Sequence, residues 1–147
     1  MTFKVIIAGS RHFSDFDHLA AACDFFLSNV EHSIEIVSGG AKGADSLGER
    51  YAAERGYELK RFPANWKKFG RNAGPIRNGE MASYADAVIA FPKGTSVGTA
   101  NMLKQARKAR LKIRVGSHVT PERLAVMAVP PHVDGITPLH HQTETQA

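Results

Sequence analysis

Residues 34–45, IEIVSGGAKGAD, decide the fold of this chain. The first four are mostly apolar, which is typical of a short buried strand, and residues 38–43 carry almost no side-chain bulk. Helical spacing begins at Ala44, so the stretch predicts a strand, a glycine-rich turn and a helix. Glycines let the backbone approach a ligand closely, and the first N–H groups of a helix point at an anion. The stretch therefore predicts a phosphate-binding loop.

Strands and helices alternate along the rest of the chain. Strand patterns cover residues 3–8, 34–37, 57–62, 87–91 and 112–115, and helical spacing recurs at 19–30, 44–55, 75–85 and 102–109. Residues 63–74 are polar and glycine-rich, so we predict an irregular loop there. Strand–helix alternation with short connections implies right-handed crossovers. The sequence thus predicts an α/β fold, with a mostly parallel sheet of about five or more strands between helix layers.

Length and composition predict the domain organisation. The chain has 147 residues, of which 43% are hydrophobic and 22% charged, which is the composition of a globular domain and not of a disordered chain. The alternating pattern weakens after residue 117. We therefore predict one domain over residues 1–117 and a C-terminal extension over 118–147, with a short helix at 121–127 and then a flexible tail.

Several classes of protein are excluded by composition. Cys23 is the only cysteine, so neither an intrachain disulfide nor a cysteine metal cluster can form, which fits a reducing cytoplasm. The seven histidines show no spacing typical of zinc ligands, and we predict no metal site. The apolar run near the N-terminus is too short for a signal peptide or a membrane span. We expect a cytoplasmic protein that does not associate with membranes.

The formal charge of +5 is unevenly distributed along the chain. No acidic residue occurs at positions 59–79 or 87–121, although both stretches are rich in lysine and arginine. This asymmetry favours an anionic ligand, either a nucleotide or a nucleic acid. The basic run at residues 104–114 is typical of a solvated helix face, and its alternative role is a surface for nucleic acid or another partner.

Three predicted strands end in loops of small or polar residues, at positions 9–11, 38–45 and 94–99. In parallel sheets, ligands bind beyond the carboxyl ends of the strands, at the point where the strand order reverses. We therefore expect these loops to meet in one crevice. The predicted ligand-binding residues are Gly9, Ser10, Arg11, Ser38, Gly39, Gly40, Ala41, Lys42, Gly43, Asp45, Trp66, Arg77, Asn78, Gly94, Thr95, Ser96, Gly98 and Thr99.

Each motif has a functional interpretation and a structural alternative. Residues 39–43 bind phosphate or ribose, or else form only a tight turn. Their sequence matches neither the Walker A loop nor the dinucleotide-binding glycine pattern. Asp45 accepts hydrogen bonds from ribose hydroxyls, or else complements the helix dipole. Arg11 offers a guanidinium fork to phosphate, or else is solvated.

The remaining motifs leave the same kind of choice. Trp66 stacks on a base, with Lys67, Lys68 or Arg71 at a phosphate, or else anchors its loop to the core. Residues 94–99 offer hydroxyls and N–H groups at a second helix start, or else only cap that helix.

Taken in order, these motifs resemble the SLOG superfamily, and more narrowly the YspA-type, cpYpsA-related family of bacteria and their phages. The resemblance covers residues 3–115 and rests on residues 7–11, 38–45, 74–78, Met81, 85–86 and 94–99. It implies a Rossmann-like, three-layer α/β/α domain that binds nucleotides or nucleotide-derived ligands. It also implies binding residues on the second and third of the three loops, with Ser10, Arg11, Arg77 and Asn78 nearby.

Relatives of this family extend the expectations. The similar LOG-type phosphoribohydrolases cleave the base–ribose bond of nucleoside monophosphates and are usually homodimers, while DprA/Smf proteins bind single-stranded DNA. The resemblance therefore implies a homo-oligomer, a dimer or a tetramer. LOG enzymes have a Gly-Gly-x-Gly-Thr-x-x-Glu loop with a catalytic glutamate, whereas this chain has Met102 in that position. The candidates for a substitute are Asp45 and Glu49.

Three functions are consistent with these observations. The one we favour is a sensor or sequestering protein for a nucleotide or an ADP-ribose-like ligand; no other cofactor is indicated. The second is a nucleoside-monophosphate N-glycosidase or ribosyl-transfer enzyme. The third is a single-stranded nucleic-acid binder that uses the Trp66 loop and residues 104–114.

Overall fold

The computed structural model describes residues 1–116 and 137–140 of the chain. Within them, one sheet is formed by the strands β1 (Thr2–Gly9), β2 (Ser33–Ser38), β3 (Glu58–Arg61), β4 (Ala87–Phe91) and β5 (Lys112–Val115). Their order is β3-β2-β1-β4-β5, and every neighbouring pair is parallel. The sheet thus grows outward from β1 in both directions, and its strand order reverses between β1 and β4.

Helices cover both faces of this sheet. They are α1 (Phe16–Leu27), α2 (Ala44–Arg55), α3 (Trp66–Phe69), α4 (Ala73–Tyr84) and α5 (Val97–Lys108), with a 3₁₀ turn at Gly70–Asn72. Along β1, Val5 faces α1 and α2 while Ile6 faces α4 and α5, because successive side chains of a strand point to opposite faces. The predicted α/β fold is confirmed as a Rossmann-like arrangement of three layers.

The helix ends follow from local sequence signals. Asp15 begins α1, since its carboxylate accepts a hydrogen bond from the His18 N–H at 3.0 Å. Gly56 ends α2 in the left-handed conformation, with φ of 72°. Ser96 begins α5 by accepting from the Thr99 N–H at 3.3 Å. Asp, Ser and Gly are residue types typical of helix caps and helix ends.

The prediction of an irregular loop at residues 63–74 is wrong. Helix α3 and the 3₁₀ turn occupy residues 66–72, and α4 already begins at Ala73. Asn65 starts α3, because its side-chain oxygen accepts a hydrogen bond from the Lys68 N–H at 3.0 Å. No residue of α3 is buried, so the segment has no apolar periodicity by which a helix could be recognised.

The described part of the C-terminal extension lies against α1. Leu139 is fully buried in the core, and its N–H donates to the Phe26 carbonyl at 2.8 Å. The polar composition of this segment did not indicate such a contact. The helix predicted at 121–127 lies outside the described residues, and the domain boundary at 117 stays a prediction. No helix in the described ranges is long and apolar enough to span a membrane.

Candidate functional site

A crevice of about 550 Å³ opens where the strand order reverses, at the carboxyl ends of β1 and β4. Its walls are the loops after these two strands, the start of α2, and parts of α3, α4 and α5. Parallel α/β sheets bind ligands at this position. The volume also falls within the range of roughly 300–1,000 Å³ that is typical of small-molecule sites.

The loop after β1 forms one wall. A Cβ added at Gly9 would lie 2.3 Å from the Phe91 carbonyl oxygen, so only glycine allows this approach to β4. Ser10 is buried, and its N–H donates to the same oxygen at 3.0 Å. This loop is therefore fixed to the sheet, and the exposed Arg11 and His12 line the crevice beyond it. Among the described residues, the Arg11 guanidinium has no hydrogen-bond partner.

Two N–H groups of the glycine-rich loop at residues 39–43, and the first N–H group of α2, donate to acceptors within the protein. These bonds run from the Gly40 N–H to the Ser38 hydroxyl at 3.0 Å, from the Ala41 N–H to the Asp45 carboxylate at 3.3 Å, and from the Ala44 N–H, the first of α2, to the Ser10 carbonyl at 3.1 Å. Groups that are already hydrogen-bonded in this way are not available to cradle an anion.

Gly43 explains why this loop is so close to its neighbour. Its φ is 78°, a conformation that favours glycine, and an added Cβ would lie 2.3 Å from the Ser10 carbonyl oxygen. The glycine at 43 therefore serves the packing of α2 against the loop after β1.

Asp45 and Arg77 meet beside Gly39, and both line the crevice. Arg77 Nη1 donates to the Gly39 carbonyl, and a Cβ at residue 39 would lie 2.6 Å from that nitrogen and 2.9 Å from Asp45 Oδ2. Burial raises the pKa of the Asp45 carboxyl, while the hydrogen bond from the Ala41 N–H and the charge of Arg77 oppose the rise. The result is a buried carboxyl beside a guanidinium that the loop carbonyl holds in place.

Hydrogen bonds continue from Arg77 across to α5. Arg77 Nε donates to Asn78 Oδ1 at 2.9 Å, and Asn78 Nδ2 donates to Asn101 Oδ1 at 3.1 Å and to the Gly98 carbonyl at 3.4 Å. Asn78 is buried and all three of its bonds lie within the protein. It therefore orients the side chains on either side of it and joins α4 to the start of α5.

The start of α5 is open to the crevice. Ser96 accepts hydrogen bonds from the N–H and the hydroxyl of Thr99, at 3.3 and 3.0 Å, which fixes the first turn. Gly98 lines the crevice, and a Cβ added there would meet no atom within 4 Å. Space for a ligand therefore lies directly above this helix start.

Trp66 forms the outer wall. Its side chain is 60% exposed, and its ring lies 3.4 Å from the position that a Cβ would take at Gly74 in α4. Arg71 lines the crevice as well. An exposed aromatic face beside a guanidinium is suited to stacking on a base next to a phosphate.

Most of the predicted ligand-binding residues come together in the crevice. Those that line it are Gly9, Ser10, Arg11, Ala41, Asp45, Trp66, Arg77, Asn78, Thr95, Ser96, Gly98 and Thr99. Those that lie outside its lining are Ser38, Gly39, Gly40, Lys42, Gly43 and Gly94.

Glu49, one of the two candidate catalytic carboxylates, does not line the crevice. It accepts a hydrogen bond from the Ser38 hydroxyl at 2.8 Å and forms a salt bridge with Arg61 at 2.7 Å. Burial raises the pKa of the Glu49 carboxyl, but the hydrogen bonds from Arg61 and Ser38 outweigh that effect and the net shift is downward. Glu49 thus acts on the loop at residues 39–43 through Ser38, whose hydroxyl also accepts from the Gly40 N–H.

Several lining residues were not among the predicted binding residues. His12 follows Arg11 directly, and Asn101 lies almost one helical turn beyond Gly98, so loop position and helical spacing would have found both. Met102 is buried and lines the crevice, at the position where the LOG loop carries its glutamate. In the described ranges, no group of three or more His, Cys, Asp or Glu side chains is arranged to hold a metal ion.

Comparison with known proteins identifies the family of this chain. A model of the YspA, cpYpsA-related SLOG family matches residues 3–69. The Gene 61 protein of Mycobacterium phage D29 is 36% identical over 118 residues, which cover 75% of this chain and 93% of that protein. The chain belongs to the YspA, cpYpsA-related SLOG family. The resemblance drawn from the motifs of this SLOG protein is thereby confirmed.

Solved structures share the fold of this SLOG protein. DNA processing protein A (DprA) from Streptococcus pneumoniae has a TM-score of 0.61 at 20% identity, and the match covers 89% of this chain but only 63% of that one. DprA from Helicobacter pylori, whose structure is described by its single-stranded DNA binding mode, has a TM-score of 0.53 at 18% identity, over 87% of this chain and 74% of its own. Identities this low show a common fold alone.

Proposed function

We propose that the crevice binds a nucleotide or a nucleotide-derived ligand such as ADP-ribose, and that the protein senses or sequesters it. The observation that carries this proposal is the presence of Arg11, Arg71, Arg77 and the exposed Trp66 in one crevice at the strand-order reversal. Guanidinium groups bind phosphate through paired hydrogen bonds, and an aromatic face stacks on a base. The crevice therefore offers both halves of a nucleotide site.

The phosphate lies at the start of α5, between Gly98 and Arg77. This end combines open space, the positive end of a helix dipole and a guanidinium held by two hydrogen bonds. The glycine-rich loop at residues 39–43 takes part indirectly, because its Gly39 carbonyl positions Arg77.

The ribose lies beside Asp45 and the base beside Trp66. Asp45 is the one carboxylate among the described residues that line the crevice, and its oxygen can accept hydrogen bonds from ribose hydroxyls. Trp66 is 60% exposed, so a base can stack on its open face. This arrangement predicts tight selection for the phosphate and weak selection for the base.

We propose that the ligand is held and not cleaved. Glycosidic cleavage generally uses a pair of carboxylates, whereas Glu49 is bound to Ser38 and Arg61 outside the crevice, and Met102 has no transferable proton. Incubation with nucleoside monophosphates should release no free base by chromatography. Base release that disappears in Asp45→Asn would support the N-glycosidase function instead.

Fluorescence of Trp66 tests the proposal directly, because it is the only tryptophan in the chain. Titration with ADP-ribose and with AMP, GMP, CMP and UMP should change its emission in a saturable way. Native mass spectrometry of freshly purified protein should show the ligand that cells supply. No emission change and no bound nucleotide would contradict the proposal.

A matched pair of arginine variants distinguishes binding in the crevice from a general effect of positive charge. Arg11→Ala removes a lining guanidinium that has no partner among the described residues, so it should weaken nucleotide binding by about 10-fold or more without loss of stability. Arg107→Ala removes the same charge from an exposed position in the last turn of α5, outside the crevice lining, and should leave the affinity unchanged.

Single-stranded nucleic acid is the second candidate ligand. The observation in its favour is that Trp66 is exposed and is followed by the exposed Lys67, Lys68 and Arg71, a pairing of aromatic and basic side chains that suits a single strand. This function predicts an affinity for oligonucleotides that falls steeply with salt, because binding releases counterions. In that case Arg107→Ala should also weaken binding, which separates the two candidates.

A further inference from the structure

The hydrogen bonds between Arg77, Asn78 and Asn101 run in one direction. A guanidinium has only N–H donors, so the oxygen of the Asn78 carboxamide must face Arg77 Nε, at 2.9 Å. The Asn78 NH₂ group therefore faces α5, where it donates to Asn101 Oδ1 and to the Gly98 carbonyl. The chemistry of Arg77 thus settles the orientation of a carboxamide whose oxygen and nitrogen have nearly the same shape.

The same argument extends to Asn101. Its oxygen accepts the hydrogen bond from Asn78, so its NH₂ group is the end that remains for the crevice, which Asn101 lines. No described residue accepts a hydrogen bond from this group. Asn101 is half-buried, and it lies within the first two turns of α5, above which the crevice is open at Gly98.

We infer that Asn101 is a specificity-determining ligand contact, and that its NH₂ group donates to an oxygen of the phosphate group bound at the start of α5. This inference rests on the proposed nucleotide site and names one contact within it. Because Asn78 fixes the carboxamide with its donors outward, Asn101 can meet an acceptor but not another donor. Arg77 at the opposite end of the three residues likewise offers only donors.

Asn101→Asp tests the inference with little change of shape. The aspartate keeps one oxygen for the Asn78 NH₂ group, but it presents a second oxygen and a negative charge to the phosphate. Affinities for AMP, GMP, CMP and UMP, measured by Trp66 fluorescence, should fall by about 100-fold or more. Affinities for the matching nucleosides, which lack the phosphate, should change by less than about 3-fold.

Two further variants separate the loss of the donor from the added negative charge. Asn101→Ala removes the donor without adding charge, and it should weaken monophosphate binding by about 10-fold. Gln105→Glu adds the same charge as Asn101→Asp about one turn further along α5, outside the crevice lining, and should leave binding unchanged. Thermal unfolding of each variant shows that it is folded.

The outcomes distinguish the inference from the function on which it rests. Wild-type protein that binds a monophosphate, with Asn101→Asp binding it equally well, would overturn the inference and leave the proposed function standing. Equal losses for nucleoside and monophosphate would also overturn it, since Asn101 would then contact the nucleoside. Wild-type protein that binds none of the four monophosphates would contradict the nucleotide site itself, and the inference with it.

Discussion

The two strand–helix loops beside the crevice have similar places in the fold and differ in structure. Both follow a buried strand and open a helix, at residues 38–43 and 92–96. The first N–H of α2 is bonded to the Ser10 carbonyl, whereas the start of α5 lies below open space at Gly98. The comparison teaches that a glycine-rich strand–helix turn does not by itself identify an anion site. The partners that its N–H groups already have, and the open space beside them, decide that.

Each loop has a separate role in this account. The loop before α2 positions other groups. Its Gly39 carbonyl accepts a hydrogen bond from Arg77, and its Gly40 N–H donates to Ser38, whose hydroxyl donates to Glu49. The loop before α5 receives the phosphate. Substitutions in the first loop should therefore act mainly on stability, and those at the start of α5 mainly on affinity.

The largest expected effect is the loss of stability in Gly43→Ala. A Cβ at residue 43 would lie 2.3 Å from the Ser10 carbonyl oxygen, and φ is 78°, so both the clash and the backbone strain oppose folding. We expect a loss of about 3 kcal/mol or more in the free energy of unfolding, measured in urea.

Gly56→Ala is the matched control for Gly43→Ala at the other end of α2. Its φ is 72°, but an added Cβ would meet no atom within 4 Å. Only the backbone strain applies there, with a cost of about 1–2 kcal/mol. Equal losses in the two variants would show that Gly43 is not packed against Ser10.

Asp45→Asn should change how the free energy of unfolding depends on pH, because the buried Asp45 carboxyl titrates in the wild type and the asparagine does not. Because burial raises the pKa of Asp45, the folded state binds the proton more tightly than the unfolded state. The stability of wild type relative to Asp45→Asn should therefore fall as the pH rises from about 3.9 through the raised pKa. Urea unfolding of both proteins between pH 4 and 7 measures this difference, and a difference that increased with pH would contradict the account.

Glu49→Gln, one turn further along α2, should show a smaller effect of opposite sign. The pKa of Glu49 is lowered in the folded state, so its stabilising contribution is present above about pH 4.3 and is lost as the pH falls through the folded pKa. The same unfolding measurements, extended below pH 4, should show the stability of wild type relative to Glu49→Gln rising with pH. Its nucleotide affinity should not change, and a large loss of affinity would place Glu49 in the site.

The fold could be predicted almost completely because its signals are local. Gly56 predicts the end of α2, and the unbroken apolar run at Ala87–Phe91 predicts a strand buried on both faces. Helix α3 could not be predicted, because all of its residues are exposed and only Asn65 indicates its start. Leu139 could not be placed either, since its partners in α1 are distant in sequence.

The crevice could be predicted as a location but not in its hydrogen bonding. The rule for parallel sheets brings the strand ends together, and it correctly groups Arg11, Asp45 and Gly98. The sequence does not show that the Ser10 carbonyl takes the first N–H of α2, because that contact depends on how two loops pack. For the same reason, the sequence does not show the hydrogen bonds that link Arg77 to Asn78 and Asn78 to Asn101.

The most direct measurement compares the nucleotide affinities of Gly98→Ala and Gly40→Ala by Trp66 fluorescence. Both positions have room for a methyl group, although the φ of 74° at Gly40 adds backbone strain there, and only Gly98 lines the crevice. Gly98→Ala should weaken binding by about 10-fold or more. It should also stabilise the protein by about 0.5–1 kcal/mol, because alanine suits a helix better. Gly40→Ala should leave the affinity unchanged. The reverse pattern, with binding lost in Gly40→Ala and kept in Gly98→Ala, would place the phosphate on the loop before α2 and contradict the account.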